Sequence, residues 1–321
     1  MKAWQVRELG EPAAVMVQAE TDRPVPAAGQ LLVKVRAAAV NFPDALMCRG
    51  HYQVRPPLPF TPGVELCGEV VGGDRAGERL IGTALLPAGA FAEYALMDAG
   101  SVFAAPAALD DAESAALHIG YQTAWFALHR RARLRAGETL LVHAAAGGVG
   151  SAAVQLGKAA GATVIGVVGG PAKAAAATSL GADLVIDRHS EDFVAAVKQA
   201  TGGRGADVVF DPVGGDAYTG STKCIAFEGR IVVVGFAGGA IPAPGLNHAL
   251  VKNYAILGLH WGLYNTRDPQ AVRDCHTELA ELAAKGVVKP LIGEHLTLDR
   301  AAEAVQLVAD GASIGRLTLH P

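Results

Sequence analysis

The stretch Leu140-Leu141-Val142-His143-Ala144-Ala145-Ala146-Gly147-Gly148-Val149-Gly150-Ser151 decides the fold. An apolar run leads into a loop of tiny residues, and an Ala-rich helix follows over Ser151–Ala160. A β-branched run, Ala162–Val168, then closes a strand–helix–strand unit. Ala145, Gly147 and Gly150 hold the three positions of the G-x-G-x-x-G dinucleotide fingerprint, with Ala in place of Gly at the first. Small residues there let the backbone approach a pyrophosphate, which rests on the N–H groups and dipole of the helix N-terminus. Between a strand and a helix, the match predicts a nicotinamide dinucleotide as the ligand.

Downstream the same alternation continues. Strands are expected at Thr139–His143, Leu184–Ile186, Asp207–Asp211, Arg230–Val234 and Ala255–Leu259, with helices at Ala172–Leu180, Ser190–Thr201 and Ala217–Phe227. This predicts an α/β chain with a doubly wound parallel sheet. Upstream, the chain reads as β-rich, with short runs at Leu31–Val35, Glu65–Val71 and Ala90–Leu96 separated by Pro- and Gly-rich turns. A helix over Leu117–Arg131 bridges the two textures. The tail offers helices at Pro269–Lys285 and Asp299–Asp310 and strands at Leu291–Thr297 and Arg316–Leu319. The expected division is a β-rich domain from 1–118 and 260–321 and a Rossmann domain over 119–259.

Composition sets outer limits. At 321 residues, 51% hydrophobic and 18% charged, the chain can bury two ordinary cores. A net charge of −4 gives no reason to expect a nucleic-acid partner. No stretch is both long and apolar enough for a membrane span, and the N-terminus carries charges where a signal peptide needs its apolar core. Cys48, Cys67, Cys224 and Cys275 stand far apart, which fits reduced thiols and a cytoplasmic location.

Several segments sharpen the expectation: Val40-Asn41-Phe42-Pro43-Asp44, Arg49-Gly50-His51-Tyr52, Leu58-Pro59-Phe60-Thr61-Pro62-Gly63-Val64-Glu65, Asp211-Pro212-Val213-Gly214-Gly215, Gly235-Phe236-Ala237-Gly238-Gly239 and Leu250-Val251-Lys252-Asn253. In this order, with the loop at 143–150, they resemble the zinc-free quinone oxidoreductase (zeta-crystallin-like) branch of the medium-chain dehydrogenase/reductase superfamily. The resemblance implies a GroES-like catalytic domain beside the Rossmann domain. Zinc-dependent relatives carry a Cys at the place of Asn41 and a His at the place of Val64. An amide and an isopropyl group supply neither the thiolate nor the imidazole a catalytic zinc needs, so no metal is expected. Cys48 and His51 form the one rival C-x-x-H, with an apolar Cys and a loop His as the plain alternative.

An NAD-preferring site places Asp or Glu at the end of the second strand, to accept from the ribose hydroxyls. Val168-Gly169-Gly170 offers none, while Lys173 and Arg188 supply positive charge nearby; NADPH is therefore expected over NADH. Ordinary solvated charge is the alternative for both. The resemblance further implies that Gly147, Gly148, Val149 and Gly150 cradle the pyrophosphate. It places Thr123, Val213, Gly235 and Phe236 near the nicotinamide, and lets Arg316 reach the phosphates. His143 reads as a buried structural His rather than a catalytic one.

Without a metal, alcohol–ketone exchange lacks its electrophile, whereas a quinone or enone spreads incoming charge onto a distant oxygen. Tyr52 is the first candidate donor to that oxygen, with packing at the domain boundary as its alternative. Asn41 is expected to donate to substrate or ribose, and Asp44 to act as an orienting acceptor. Trp261 and Tyr264 wall an aromatic pocket, or else belong to the core or a subunit contact. The expected activity is NADPH:quinone reduction. The alternatives are reduction of an α,β-unsaturated carbonyl or enoyl thioester, and a non-catalytic NADPH-binding protein. An exposed edge at Ala255–Leu259 predicts a homodimer.

Overall fold

The computed structural model describes residues 1–321, which divide into two compact units: Met1–Ile119 with Ala280–Pro321, and Gly120–Leu279. In the first, β1 (Lys2–Val6) and β2 (Met16–Glu20) form an antiparallel ribbon across the short helix α1 (Pro12–Val15). The long strand β3 (Gln30–Ala39) buries Val33, Val35 and Ala37 and exposes Lys34 and Arg36, the period-two signature of a sheet with one covered face. Helix α2 (Phe42–Cys48) follows at once, opened by Asn41 and Asp44 in a capping box.

Strands β4 (Glu65–Val70), β5 (Arg79–Thr83), β6 (Tyr94–Asp98) and β7 (Phe103–Ala104) complete this part of the unit. β4 and β6 both pair antiparallel with β3. The strand expected at Ala90–Leu96 starts later because Gly89, Ala90 and Phe91 donate instead to the carbonyls of Thr61, Gly63 and Pro62. Phe60, Leu66, Met47, Phe91 and Met97 sit in the core this sheet covers. Helix α3 (Asp111–Trp125) begins before the expected Leu117, on a capping box between Asp110 and Glu113. It continues as a π-helical turn, Phe126–Arg131.

The second unit alternates β8 (Thr139–His143), α4 (Gly148–Ala159), β9 (Thr163–Val168), α5 (Pro171–Ser179), β10 (Leu184–Asp187), α6 (Phe193–Ala200), β11 (Ala206–Asp211), α7 (Gly215–Cys224), β12 (Ile225–Val233), α8 (Leu246–Lys252) and β13 (Ala255–Gly258). All sheet pairs are parallel, in the order β10-β9-β8-β11-β12-β13. The order reverses between β8 and β11, and open sheets of this kind bind ligands at the carboxyl ends of such a switch point. The helix expected over Ala217–Phe227 stops at Cys224: Ile225 pairs with Ala206, and the chain turns at Glu228 (φ 57°) before resuming register at Arg230.

Two further helices, α9 (Tyr264–Arg267) and α10 (Pro269–Ala284), explain why this unit runs to Leu279 and not to 259. Trp261 Nε1 donates to Gln122 Oε1 at 3.2 Å, the Tyr264 ring lies 4.2 Å from that of Phe126, and Arg130 pairs with Asp268 at 3.0 Å. The chain then returns to the first unit with β14 (Ile292–Thr297), α11 (Ala301–Ala309) and β15 (Arg316–His320). β15 pairs antiparallel with β3, and β14 forms the outer edge. No helix is long and apolar enough to cross a membrane.

Candidate functional site

In the second unit the loop after β8 is built for close approach. Ala144 takes a left-handed conformation (φ 50°), and its carbonyl folds under the helix. A Cβ on Gly150 would overlap that Ala144 oxygen, so only glycine lets α4 start where it does. Ala145, the departure from the fingerprint, is fully buried, and it fits because Gly166 on the neighbouring β9 has no side chain. A Cβ there would stand 2.9 Å from the Ala145 methyl. Gly147 is the N-cap of α4 and no side chain caps the helix. The N–H groups of its first turn, at Gly148, Val149 and Gly150, are thus left for an anion. The residues fit the pyrophosphate of a dinucleotide.

At the end of β9, Gly169 and Gly170 are bare, and a Cβ on Gly169 would meet Arg188 Nε and the His189 ring at 3.1 Å. A guanidinium and an imidazole therefore fill the space in which an NAD site carries its carboxylate. Asp187 holds this turn by accepting from the Gly170 and His189 N–H groups at 2.9 and 3.0 Å, which keeps its carboxyl below the ordinary value. Lys173 is half-buried on α5. Burial lowers its pKa, and the Arg188 charge adds to the effect. Two cations held this close favour a doubly charged phosphate monoester.

At the carboxyl ends of β11 and β12, Asp211 Oδ1 accepts from the N–H groups of Val213 and Gly214 at 2.8 and 2.9 Å. Ala237 and Gly238 donate to the Pro212 and Val213 carbonyls, so the loops bearing Val213, Gly235 and Phe236 are tied together. Phe236 is exposed, and Thr123 is buried on α3. His143 is buried, 2.8 Å from Ser221 Oγ and edge-on to Phe193, and burial pulls its pKa down to about 4. Trp261 and Tyr264 pack within this unit as described above.

In the first unit, Asn41, Asp44, Glu65 and Arg316 form one buried polar cluster. The Asp44 carboxylate accepts from the Asn41 and Gly63 N–H groups at 2.8 and 3.0 Å, and burial pushes it up to about 7. Glu65 Oε2 accepts from Asn41 Nδ2 at 2.9 Å and from the Arg316 guanidinium, and its Oε1 accepts from Ile119 N–H at 2.5 Å. Burial raises the Glu65 carboxyl, against the Arg316 charge and these donors.

Two expectations change here. Asn41 Nδ2 also donates to the Ala39 carbonyl at 3.1 Å, so both amide hydrogens are engaged, and the side chain also accepts from the Asp44 N–H in the capping box. Arg316 is bound to Glu65 and buried, with its Nε lacking a partner, rather than extended toward a phosphate. Tyr52 packs half-buried against the same core, and its phenol is raised first by burial and then by the Asp44 charge. Glu65 was not among the expected site residues, although a carboxylate inside Val64-Glu65-Leu66-Cys67 is the signal that marks it.

Cys48 is buried and pushed up to about 12, while His51 is exposed. No group of three or more His, Cys, Asp or Glu side chains converges.

Comparison with known proteins agrees with this architecture. Residues 27–107 match the alcohol dehydrogenase GroES-like domain and residues 148–280 the zinc-binding dehydrogenase domain. The quinone oxidoreductase-like protein 2 homolog of Nematostella vectensis is 37% identical, over 99% of this chain and 88% of that one. The crystal structure of Escherichia coli quinone oxidoreductase complexed with NADPH superposes with a TM-score of 0.91 at 31% identity, covering 100% of both chains. A phthioceranic/hydroxyphthioceranic acid synthase of Mycobacterium tuberculosis is 32% identical over 98% of this chain, which spans 15% of that much longer protein. A GroES-like unit and a Rossmann unit with a glycine loop define a two-domain dehydrogenase/reductase architecture. The chain belongs to the medium-chain dehydrogenase/reductase superfamily, in its quinone oxidoreductase branch.

Proposed function

We propose that this protein reduces a quinone with NADPH and uses no metal ion to polarise the acceptor. The observation that carries the cofactor is the pairing of an uncapped α4 N-terminus with two cations, Lys173 and Arg188, beside a bare Gly169. Bound there, NADPH supplies hydride from its nicotinamide ring. The first-turn N–H groups of α4 take the pyrophosphate and the Lys173–Arg188 pair takes the 2′-phosphate. The family resemblance assigns Thr123, Val213, Gly235 and Phe236 to the nicotinamide end.

For the acceptor, the reading rests on chemistry and on the relatives' names. Asn41 and Val64 offer no ligand where the zinc-dependent branch has Cys and His, although one matching family model is described as zinc-binding. A conjugated acceptor delocalises the arriving charge, so one hydrogen-bond donor suffices, and Tyr52 is that donor. Asp44 and Glu65 hold the backbone and the Asn41 amide around it. The unpaired edge of β13 adds a second expectation, a homodimer joined along that edge, which light scattering on the eluting protein checks directly.

The deciding experiment follows NADPH oxidation against a benzoquinone, a naphthoquinone, an aliphatic enone and an enoyl thioester, with NADH in parallel. Quinone turnover with NADPH well above NADH is the expected result. The match to an acyl-chain synthase favours a second reading, reduction of an enoyl thioester, which turnover confined to the last two acceptors would establish. Cofactor binding with no acceptor reduced would overturn both in favour of a non-catalytic NADPH-binding protein.

A further inference from the structure

We propose that His295 and His320 form a two-histidine site for a divalent transition-metal ion, Zn²⁺ fitting best, on the outer β14–β15 ribbon of the first unit. The sheet register places the pair. His295 lies opposite Thr318 and Thr297 opposite His320 in parallel strands, so all four side chains leave the same face. His295 Nδ1 stands 3.4 Å from His320 Nε2, with ring centroids 5.5 Å apart. A tetrahedral ion with Zn–N bonds of about 2.0–2.1 Å holds two nitrogens about 3.3–3.4 Å apart, so the two rings already stand at the bite of such an ion.

The surroundings favour a cation and fix the ligands. Thr318 Oγ1 lies 3.2 Å from His320 Nε2, and the Arg36 backbone hydrogen-bonds the same ring, which limits its rotation. Asp110 and Asp111 add negative potential at His320, while burial, and after it the neighbouring His295, favours the neutral imidazole that a metal requires. His295 is exposed, so an ion reaches the pair from solvent and completes its coordination with water. In the metal-free pair one ring N–H faces the other ring's lone pair. When an ion binds, that ring takes its other neutral tautomer, its proton passing by way of solvent to the nitrogen that faces away from the ion, with no net proton released. Arg316 lies four residues along β15 from His320, about 13 Å in an extended strand, which separates this site from the Glu65 cluster.

Calorimetric titration of the full chain with zinc chloride tests the site, with melting curves in parallel. The expected result is one Zn²⁺ per chain, bound at least about tenfold tighter than by His295→Gln or His320→Gln, because each variant loses the chelate. His51→Gln binds as the wild type does. Zinc raises the melting temperature of the wild type and not that of the two variants. Since His295 is exposed, His295→Gln melts like the wild type without zinc, which keeps the test valid even if His320→Gln folds poorly. Absence of saturable zinc binding, or binding that survives undiminished in His295→Gln, overturns the proposal.

Discussion

Glu65 is a carboxylate with no exposed surface that nevertheless satisfies three partners' demands: one side-chain amide hydrogen, one backbone N–H and a buried guanidinium. Its worth lies in what its removal leaves behind. Glu65→Gln strands the Arg316 charge in the interior, and the expected loss by urea unfolding is about 3–5 kcal/mol. The double variant Glu65→Leu/Arg316→Met removes both charges and should recover a large part of that loss. If it is no more stable than the single variant, burial of an unpaired charge is not the cause. Under the proposed function Tyr52 belongs to the opposite category, a residue whose removal is expected to touch chemistry and spare the fold. Tyr52→Phe keeps the ring that packs on the core, so unfolding should not change, while the quinone-reduction rate should fall about ten- to a hundredfold, at or below the lower bound of what one lost oxyanion donor costs, because a conjugated acceptor needs less help. An undetectable rate in a folded variant would mean that Tyr52 does more than donate one bond.

At the level of elements, Ala145 and Gly166 show two segments adjusting to each other. A fingerprint that begins with Ala works because the next strand gives up a side chain at the facing position. Gly166→Ala alone should therefore cost about 1–3 kcal/mol by overpacking, and Ala145→Gly in the same chain should restore most of it. Additive losses in that double-mutant cycle would disprove the coupling. The pairing also shows what could be read beforehand. The second unit's alternation was legible because buried parallel strands such as Leu140–Val142 are continuous apolar runs between helical spacers. The end of α7 was not, since Cys224, Ile225 and Ala226 suit a buried helix turn as well as the strand start that pairing with Ala206 imposes. In the site, the glycine loop and the Lys173–Arg188 pair follow from local spacing. Asn41 bonding to Glu65, and Arg316 to the same carboxylate, depend on partners 24 and 251 residues away, which no local pattern carries.

Across the whole molecule the two units carry buried titrating groups of opposite sign. In the second unit His143 titrates near 4 in the fold and near 6.5 when unfolded. Between those values the unfolded chain binds the extra proton, so acid destabilises this unit, by at most about 3 kcal/mol. Asp183 and Asp187, both held below the ordinary carboxylate value, push the same way. In the first unit Asp44 titrates at about 7 against 3.8 unfolded, so here the folded chain holds the extra proton, and stability is lost as pH rises through that window. Glu65 is shifted in the same direction. Two such units need not unfold together. Hydrogen exchange, corrected for intrinsic rates, should show β8 and β9 amides opening more readily relative to β3 and β4 as pH drops from 7 to 5. His143→Gln removes the proton acceptor and should flatten the acid dependence of β8 and β9 without altering that of β3 and β4. Parallel loss of protection in both units would show that the molecule unfolds as one body, with the opposed titrations averaged into a single transition.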